Sequence, residues 1–496
     1  MDQKRILTGI PEFDVVLRGG LLADRIHLIE GLPGTGKTTF GLRFLLSGVQ
    51  NGDACLYITL SETRKELLAC ADSHGWSTEG IEICELIPAE ARLGQEQSVL
   101  FPSEVELNAT IELISKKVLQ HKPQRLVIDS MTELRLLATE PAGYRRQIIA
   151  LRQFLLQQHC TALLLDDLTS EFREHDLQGS VHGVISLEQR ERAFGSARRR
   201  LRVVKMRGGD FQSGWHDFAI VRSEVLVFPS LIADEHHRDY ERGAVSSGIG
   251  ELDMLLGGGL MRGTTTVLQG PTGVGKSSLA LQYAIAGADR GEHVAYFSFD
   301  ESLETLYDRA RGLNFDVHAP IESQVIHWER INPSRISPGE FIWKVRQEVE
   351  DRQAKIVVID SLNSYLETIE EQDALLPQLH ELFTYLNHQG VLCILVLGHT
   401  SGSDKGSDPL GVTLISDAVI LLHFFECDGI VRKGITVVKK RPGQHECAIR
   451  EYLLSGTGIG LGERVPQQSP FVDADAGAAH RAAAAAAATV AVAPAS

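Results

Sequence analysis

The sequence contains no Cys-x-x-Cys pair, and its cysteines are scattered along 496 residues. This spacing excludes the paired thiolates of a zinc ribbon and gives no sign of a disulfide framework. We therefore expect reduced thiols, as is typical of a cytoplasmic protein. The seven cysteines are Cys55, Cys70, Cys84, Cys160, Cys393, Cys427 and Cys447.

Long apolar runs are also missing. No stretch approaches the roughly 20 consecutive apolar residues of a membrane-spanning helix. The residues after Met1 lack the apolar core of a secretory signal peptide, and the run from Ala482 to Ala488 is too short and too weakly apolar to cross a bilayer. We expect a cytoplasmic protein with no membrane partner.

Basic residues are too few for a protein whose main role is to coat nucleic acid. The chain has 65 acidic and 49 basic residues, a formal net charge of −16. Binding along a phosphate backbone requires cations that replace its counterions, so nucleic acid is disfavoured as a partner. Arg198, Arg199 and Arg200 are interpreted as part of a solvated hairpin arm, and their charge density together with Arg202 leaves a local nucleic-acid patch as the alternative.

What the sequence does contain is two glycine-rich octets of the form Gly-x-x-x-x-Gly-Lys-Ser/Thr. Each lies between an apolar strand-like segment and a helix-like segment, so its backbone N–H groups and the helix N-terminus can cradle phosphates. Lys37 and Lys276 would reach the β- and γ-phosphates, and Thr38 and Ser277 would offer hydroxyls to Mg²⁺. The predicted ATP-binding residues are Gly31, Gly34, Thr35, Gly36, Lys37, Thr38 and Thr39, and Gly270, Thr272, Gly273, Val274, Gly275, Lys276, Ser277 and Ser278.

The two halves of the chain match in one register, offset by 239 residues as from Lys37 to Lys276. A register kept over a long span indicates a duplicated domain. We predict a first domain over residues 1–235, a second over 240–465, and a disordered Ala/Pro-rich tail over 466–496. The matching landmarks are Gly9 and Gly248, Asp14 and Asp253, Leu21 and Leu260, and Glu62 and Glu301.

Strand-like and helix-like segments alternate within each half. This order predicts the α/β class, with two tandem P-loop NTPase domains whose mostly parallel sheets are covered on both faces. Strands are predicted over residues 25–29, 55–59, 125–128 and 161–165, and over 265–268, 293–298, 355–359 and 391–397.

Each half has a strand that ends in aspartate and serine, at Asp129-Ser130 and Asp360-Ser361. An aspartate at the carboxyl end of a strand beside a phosphate loop can hold Mg²⁺ through water. Such an acid can also simply cap the next helix, but its occurrence after both loops favours the metal role. The predicted metal-site residues are Thr38, Asp129, Ser277 and Asp360.

Another predicted strand in each half is followed by a carboxylate, Glu62 in the first and Asp300-Glu301 in the second. These acids could accept a proton from an attacking water. The alternative is that each glutamate only complements the dipole of the next helix. Glu62, Asp300 and Glu301 are the predicted catalytic acids, whereas Ser61 stands where Asp300 stands in the second half.

A late strand in each half carries a Lys-x-Arg pair, Lys205 with Arg207 and Lys439 with Arg441. Residues two apart on a strand project to the same side, so each pair could neutralise charge on the γ-phosphate of a neighbouring subunit. A solvated edge strand is the alternative.

On these residues the chain resembles the KaiC family, the duplicated RecA-type ATPases of circadian clocks, over about residues 7–460. The resemblance implies two RecA-like domains in a homo-hexameric double ring, with ATP and Mg²⁺ bound between subunits and the Lys-x-Arg pairs acting in trans. It also implies ATP hydrolysis, Ser/Thr autophosphorylation in the second domain, and a KaiB-like or signalling protein as partner. Further shared motifs are Gly9-Ile10, Asp14 and Gly19-Gly20-Leu21, repeated at Gly248-Ile249, Asp253 and Gly258-Gly259-Leu260.

The sequence departs from the family where paired glutamates are usual, because Ser61 and Asp300 replace the first of each pair. The phosphorylated tract of the family corresponds to Thr413-Leu414-Ile415-Ser416-Asp417, in which leucine replaces one acceptor. We therefore predict Thr413 as the principal phosphoacceptor and Ser416 as the next, without a two-site cycle. The alanine-rich tail is unlike that of the family, which argues against the usual tail-binding clock partner.

Two other functions compete with this interpretation. A DNA-dependent RecA-type ATPase would use the same fold, but the acidic balance argues against it. A nucleotide-gated scaffold with little turnover is the second alternative, and Ser61 keeps it open for the first half.

Overall fold

The computed structural model describes residues 4–86, 103–138, 140–168, 176–192, 195–367, 372–398, 411–441, 443–465 and 471–472. The predicted tail over residues 466–496 lies outside this part of the chain except for Phe471–Val472. By its internal contacts the chain divides into two units, Met1–Ser230 and Leu231–Ser496.

The first unit contains eleven strands and seven helices within the described ranges. The strands are β1 (Arg5–Ile6), β2 (Leu21–Leu22), β3 (Ile26–Gly31), β4 (Cys55–Thr59), β5 (Ile81–Glu85), β6 (Arg125–Asp129), β7 (Thr161–Asp167), β8 (Gly183–Arg190), β9 (Arg198–Met206), β10 (His216–Ile220) and β11 (Val225–Phe228). The helices are α1 (Pro11–Val16), α2 (Lys37–Gln50), α3 (Arg64–Ser73), α4 (Ser103–His121), α5 (Met131–Leu136), α6 (Pro141–Gln157) and α7 (Asp176–Ser180).

Nine of these strands form one sheet in the order β11-β10-β9-β8-β3-β7-β6-β4-β5. On one side of the sheet, the adjacent strands β8, β3, β7, β6, β4 and β5 pair in parallel. On the other side, β8 pairs antiparallel with β9, β9 with β10, and β10 with β11. Successive residues Leu126 and Val127 of β6 belong to different hydrophobic clusters. Both faces of the sheet are therefore covered, as expected for parallel strands made of continuous apolar runs.

The second unit repeats this arrangement. Its strands are β12 (Ala244–Val245), β13 (Leu260–Met261), β14 (Thr265–Gly270), β15 (Val294–Ser298), β16 (Ile326–Arg330), β17 (Ile356–Asp360), β18 (Leu392–Gly398), β19 (Ala418–Cys427), β20 (Ile430–Lys440), β21 (Arg450–Ser455), β22 (Gly458–Arg464) and β23 (Phe471–Val472). Its helices are α8 (Gly250–Leu255), α9 (Lys276–Asp289), α10 (Leu303–Gly312), α11 (His318–Glu322), α12 (Pro338–Glu350), α13 (Leu362–Glu367), α14 (Gln372–His388) and α15 (Val412–Ile415), with a 3₁₀ turn at Ala233–His236.

The main sheet of the second unit has the order β16-β15-β17-β18-β14-β19-β20-β21-β22, and β23 also pairs with β19. Strands β14 to β19 correspond one for one to β3 to β8, with the same parallel pairings. The prediction of two α/β domains with mostly parallel central sheets is confirmed. None of the helices in the described ranges is long and apolar enough to cross a membrane.

All eight predicted strands are present, although several continue for one or two residues beyond the predicted end. Strand β7 is an example, since it was expected to end at Leu165 and runs on to Asp167. The two added residues are acidic, and both have partners. Asp166 pairs with Arg135, and Asp167 pairs with Lys37.

Candidate nucleotide sites

Each phosphate loop joins the carboxyl end of a central strand to a helix, β3 to α2 and β14 to α9. The residue before each helix is a glycine in the left-handed region, Gly36 at φ 105° and Gly275 at φ 113°. An added Cβ would lie 2.6 Å from Ile220 at the first and 2.7 Å from Leu454 at the second. Only glycine therefore fits, and without a side-chain cap the first N–H groups of each helix are left for an anion.

The loop lysines are buried and bent back onto their own loops. Lys37 Nζ donates to the carbonyl oxygens of Gly31 and Leu32 at 3.0 Å each. Lys276 makes the same two bonds to the first two residues of its loop, at 2.8 and 2.9 Å. Burial lowers the pKa of Lys276. Both ammonium groups are therefore held inside the concavity where phosphates are expected.

The first lysine has an additional partner that the second does not have among the described residues. Asp167, the last residue of β7, lies 2.5 Å from Lys37 through its Oδ1 atom. In the strand register Gly31 is opposite Asp167, and in the second unit Gly270 is opposite Gly398. Glycine has no carboxylate to offer, so the two sites differ in charge at this position.

A hydroxyl and a carboxylate meet beside each loop. Thr38 Oγ1 donates to Asp129 at 2.9 Å, and Ser277 Oγ donates to Asp360 at 3.0 Å. Burial raises the pKa of both aspartates. Hard oxygen donors in this arrangement fit Mg²⁺, so the four residues predicted for the metal are brought together in pairs.

Each aspartate also accepts a hydrogen bond from a buried tyrosine. Tyr57 and Tyr296 donate to Asp129 and Asp360, both at 2.6 Å. Burial raises the pKa of each tyrosine well above its usual value, so the hydroxyls stay protonated and act as donors. In the first unit Tyr57 and Thr38 donate to the same oxygen of Asp129, Oδ2, and Oδ1 is left for a metal. In the second unit Tyr296 donates to Oδ2 of Asp360 and Ser277 to Oδ1.

The predicted catalytic acid Glu62 lies near the metal-site carboxylate of the first unit. Its backbone is held by Thr59, whose Oγ1 accepts from Glu62 N at 3.1 Å and donates to Glu62 O at 2.6 Å. Burial, followed by the charge of Asp129, raises the pKa of Glu62. A carboxylate with a raised pKa accepts a proton more readily near neutral pH.

The corresponding Glu301 has a different environment, because Arg309 holds it with two hydrogen bonds of 3.0 and 2.6 Å. In the repeat, Arg309 corresponds to Cys70 of the first unit. A cysteine side chain carries no positive charge that could balance the carboxylate of Glu62. The other predicted acid, Asp300, accepts from Ser361 Oγ at 2.8 Å. Within the described residues, the second site has an arginine beside its glutamate and the first does not.

A cavity of about 670 Å³ contains the second site. Its lining brings together the loop, the metal-site pair and the two acids, which were predicted from separate sequence motifs, and adds Arg309, which was not predicted. Members of that lining are Thr272, Gly273, Gly275, Lys276, Ser277, Ser278, Asp300, Glu301, Arg309 and Asp360.

The remaining predicted loop residues contribute in other ways. Thr35 Oγ1 donates to Leu32 O at 2.8 Å and so stabilises the loop itself. The Val274 side chain is fully buried and Thr39 is nearly so. These side chains support the loop, and only their backbone groups are suited to face a phosphate.

The Lys-x-Arg pairs lie at the opposite end of the central strands from the loops. Arg441 N donates to Asp417 O and Asp417 N to Thr265 O, so Arg441 is level with the start of β14. In the first unit, Arg207 is linked in the same way through His182 to the start of β3. Each six-residue strand spans roughly 16 Å, so neither pair lies beside the loop of its own unit.

The sequence profile of a family described as "ATPase: KaiC" matches residues 6–232 and 245–465. The chain belongs to the KaiC family of ATPases. The circadian clock protein KaiC3 of Synechocystis sp. is 26% identical over 472 residues, which cover 93% of this chain and 92% of that protein. The circadian clock oscillator protein KaiC of Parathermosynechococcus lividus is 27% identical, with 91% and 84% covered, and the circadian clock protein KaiC2 of Synechocystis sp. is 27% identical, with 92% and 80% covered.

This KaiC-family chain holds its basic pairs against a short helix in each unit. Lys205 donates to Gln178 O and Arg207 to Gly179 O, both carbonyls of α7. In the second unit, Lys439 and Arg441 donate to carbonyls of α15 and the residue after it. The cations therefore complement the negative end of each helix dipole within their own chain.

The predicted phosphoacceptors differ in exposure. Thr413 lies in α15 and is half-buried, whereas Ser416 is fully buried and its Oγ donates to Thr413 O at 2.9 Å. Lys439 Nζ donates to the carbonyls of Thr413 and Ser416 at 2.9 and 2.6 Å. A phosphate could reach Ser416 only if this turn opened.

Four residues of the KaiC-family sites were missed by sequence reasoning. Tyr57 and Tyr296 keep the repeat offset of 239 residues, so the repeat itself contained a signal for them. Asp167 and Arg309 occur in one half only. A difference between two otherwise matching halves is visible in the sequence, but its meaning depends on the side chains that the fold brings together.

Proposed function

We propose that this KaiC-family chain hydrolyses ATP at both phosphate loops and phosphorylates itself on Thr413. The observation that supports this most is the twofold occurrence of one constellation: a loop lysine, a hydroxyl paired with a strand-end aspartate, and a glutamate. Phosphoryl transfer needs positioning and charge stabilisation more than covalent chemistry, and these groups supply both.

Mg²⁺ would be held by Thr38 with Asp129 and by Ser277 with Asp360. When bound, Mg²⁺ neutralises charge on the phosphate oxygens. The paired hydroxyl and carboxylate oxygens are 2.9 Å apart in the first site and 3.0 Å apart in the second. The tyrosine donors fix the carboxylates, so the chain orients both donor sets in advance.

Glu62 and Glu301 are the proposed acceptors of the proton from the attacking water. The raised pKa of Glu62 suits this role. Glu301 must be released, at least partly, from Arg309 before it can turn to a water. Asp300 would support the second site through its bond to Ser361.

We further propose that the basic pairs act on the nucleotide of a neighbouring subunit in a homo-hexamer. Lys205 and Arg207, like Lys439 and Arg441, lie at the end of the sheet away from their own loop. This position supports action in trans, since each pair is displaced from its own site by the length of a central strand. A site completed by a neighbour would make hydrolysis dependent on assembly.

The names of the relatives point to a clock-type regulator, and we propose a KaiB-like or other signalling protein as the partner. The seven cysteines are free thiols, which supports a cytoplasmic location.

The test combines assembly, turnover and phosphate mapping. Light scattering should show a hexamer in the presence of ATP and Mg²⁺, and Lys37→Ala and Lys276→Ala should each remove part of the ATPase activity. With labelled ATP, mass spectrometry should locate phosphate on Thr413, and Lys276→Ala should abolish it. A protein that stays a single chain with nucleotide refutes the assembly, and label elsewhere or nowhere refutes the kinase activity.

A further inference from the structure

Lys37 and Asp167 form an ion pair in the first site, and among the described residues Lys276 of the second site has no corresponding carboxylate, since Gly398 stands in that position. The Lys37 side chain is 8% exposed and that of Asp167 is 28% exposed, so the pair is partly shielded from water. Nζ of Lys37 and Oδ1 of Asp167 are 2.5 Å apart. At this distance the carboxylate competes directly with any other anion for the ammonium group.

The neighbouring Asp166 shows that the contact with Lys37 depends on which face of β7 a side chain occupies. Asp166 faces the other side of the strand, where it pairs with Arg135 and accepts from Thr132 at 2.9 Å. Successive strand residues point to opposite faces, so only Asp167 is directed at the loop. The two adjacent acids therefore have separate functions.

The first site is also more negative than the second. Glu62 and Asp129 both lie close enough to Asp167 for its charge to act on them, and within the described residues Glu62 has no paired arginine or lysine. In the second site, Arg309 compensates Glu301 and the position of Asp167 is occupied by Gly398. The second site has Asp300 where the first has Ser61, but Asp300 accepts a hydrogen bond from Ser361. Among the described residues, only the first site therefore has a carboxylate placed directly on its loop lysine.

We propose that Asp167 makes the first site select ADP over ATP relative to the second site, by competing for Lys37 and by repelling the additional charge of ATP. This inference rests on the proposed function, in which both loops bind nucleotide. The loop lysine serves the β- and γ-phosphates, and ATP carries one more negative charge than ADP, so the triphosphate is penalised more.

The expected size of the preference is taken from the general strength of an interaction between two charges. Two unit charges about 4 Å apart near a protein surface repel strongly, and exposure and salt reduce the effect. We expect the ratio of the dissociation constants for triphosphate and diphosphate to fall by about tenfold when the charge is removed, which corresponds to about one pKa unit of interaction.

The experiment uses the full chain with Lys276→Ala, so that the first site dominates nucleotide binding. The probes are the fluorescent methylanthraniloyl derivatives of ADP and of the non-hydrolysable analogue AMP-PNP, each with Mg²⁺. Asp167→Asn should lower the AMP-PNP to ADP ratio of dissociation constants by about tenfold. Asp166→Asn is the matched control and should leave the ratio unchanged, and thermal melting verifies that each variant is folded.

A reciprocal change tests the same idea in the second site. Gly398→Asp, in a chain with Lys37→Ala, should raise the ratio there. An added Cβ at Gly398 would meet only Asn363, at 3.5 Å or more, so the substitution is sterically tolerated. A rise in the ratio would show that the carboxylate itself confers the preference.

Two results would overturn the inference while leaving the nucleotide sites intact. One is an unchanged ratio in Asp167→Asn, and the other is weaker AMP-PNP binding, which would show that Asp167 helps to hold the metal. Failure of both the parent and the Asp167→Asn protein to bind either probe would reject the first nucleotide site itself, and this inference with it.

Discussion

Replacing Tyr296 with phenylalanine is expected to weaken Mg²⁺ binding at the second site without disturbing the loop. Tyr296 is fully buried and donates to Asp360 at 2.6 Å. The substitution removes one hydroxyl and leaves the aspartate with its bond from Ser277. The hydrogen bond from Tyr296 lowers the pKa of Asp360, against the larger effect of burial, so its loss should favour the protonated carboxyl group.

The magnitude follows from the contact. A hydrogen bond to a charged group contributes about 1.5–3 kcal/mol, so we expect the free energy of unfolding of the second unit to fall by about 2 kcal/mol. For a domain of this size that corresponds to a melting temperature lower by roughly 4–8 °C. Loss of a partner that orients a metal-binding carboxylate typically reduces metal affinity about 10–100-fold.

The assay is the Mg²⁺ concentration dependence of nucleotide binding, measured in a chain with Lys37→Ala so that the second site is observed. Tyr283→Phe is a matched control, because Tyr283 is equally buried in the same unit and does not donate to Asp360. Tyr57→Phe should repeat the effect in the first site. If Tyr296→Phe melts earlier but keeps the parent dependence on Mg²⁺, the tyrosine is only structural and the reasoning fails.

Three further changes probe other parts of the chain. Arg309→Ala removes the cation that holds Glu301 with two hydrogen bonds, so the carboxylate is free to turn to a water and the second-site ATPase rate, measured in a chain with Lys37→Ala, should rise. Burial lowers the pKa of His27 to about 4, so the unfolded state binds more protons between about pH 6.5 and pH 4. The free energy of unfolding should fall by up to about 3 kcal/mol as the pH drops through this window, and urea titrations of His27→Thr should show a flatter profile. Gly36→Ala places a Cβ at a left-handed residue, 2.6 Å from Ile220, and should cost about 1–3 kcal/mol and weaken first-site nucleotide binding in calorimetry.

Each of these predictions has a result that contradicts it. An unchanged or lower second-site rate in Arg309→Ala would mean that Glu301 need not be released from the arginine for hydrolysis. Equal pH dependence in the parent and His27→Thr would place the titrating group elsewhere. Parent-like nucleotide affinity in Gly36→Ala would show that the left-handed turn is not needed for binding.

The parts of the fold that were predicted correctly depend on local patterns. The phosphate loops follow from glycine spacing, and the central strands follow from apolar runs such as the one that ends at Asp129. The polar end of β7 was not predicted, because Asp166 and Asp167 look like a loop until their partners Arg135 and Lys37 are known. Those partners lie 31 and 130 residues away in the sequence, and such pairings depend on the folded sheet.

In the candidate site, too, the residues in local motifs were predicted from the sequence, whereas those brought together only by the fold were not. The lysines, hydroxyls and strand-end aspartates form motifs of fixed spacing, so the sequence identifies them. Arg309 lies eight residues after Glu301, and its role depends on the helix that turns it back to the acid. The basic pairs were predicted to project together from a strand end, but their bonds to the carbonyls of a short helix come from the tertiary packing.

The separation of loop and basic pair by the full length of a central strand has a consequence for how copies of the chain can associate. A domain with its anion cradle at one end and its cations at the other is directional. Under the proposed action in trans, neighbouring copies would therefore join head to tail, and such contacts close into rings when the rotation permits. Dilution would then lower the activity per chain, because a protomer without a neighbour could not bring its two halves of the proposed site together.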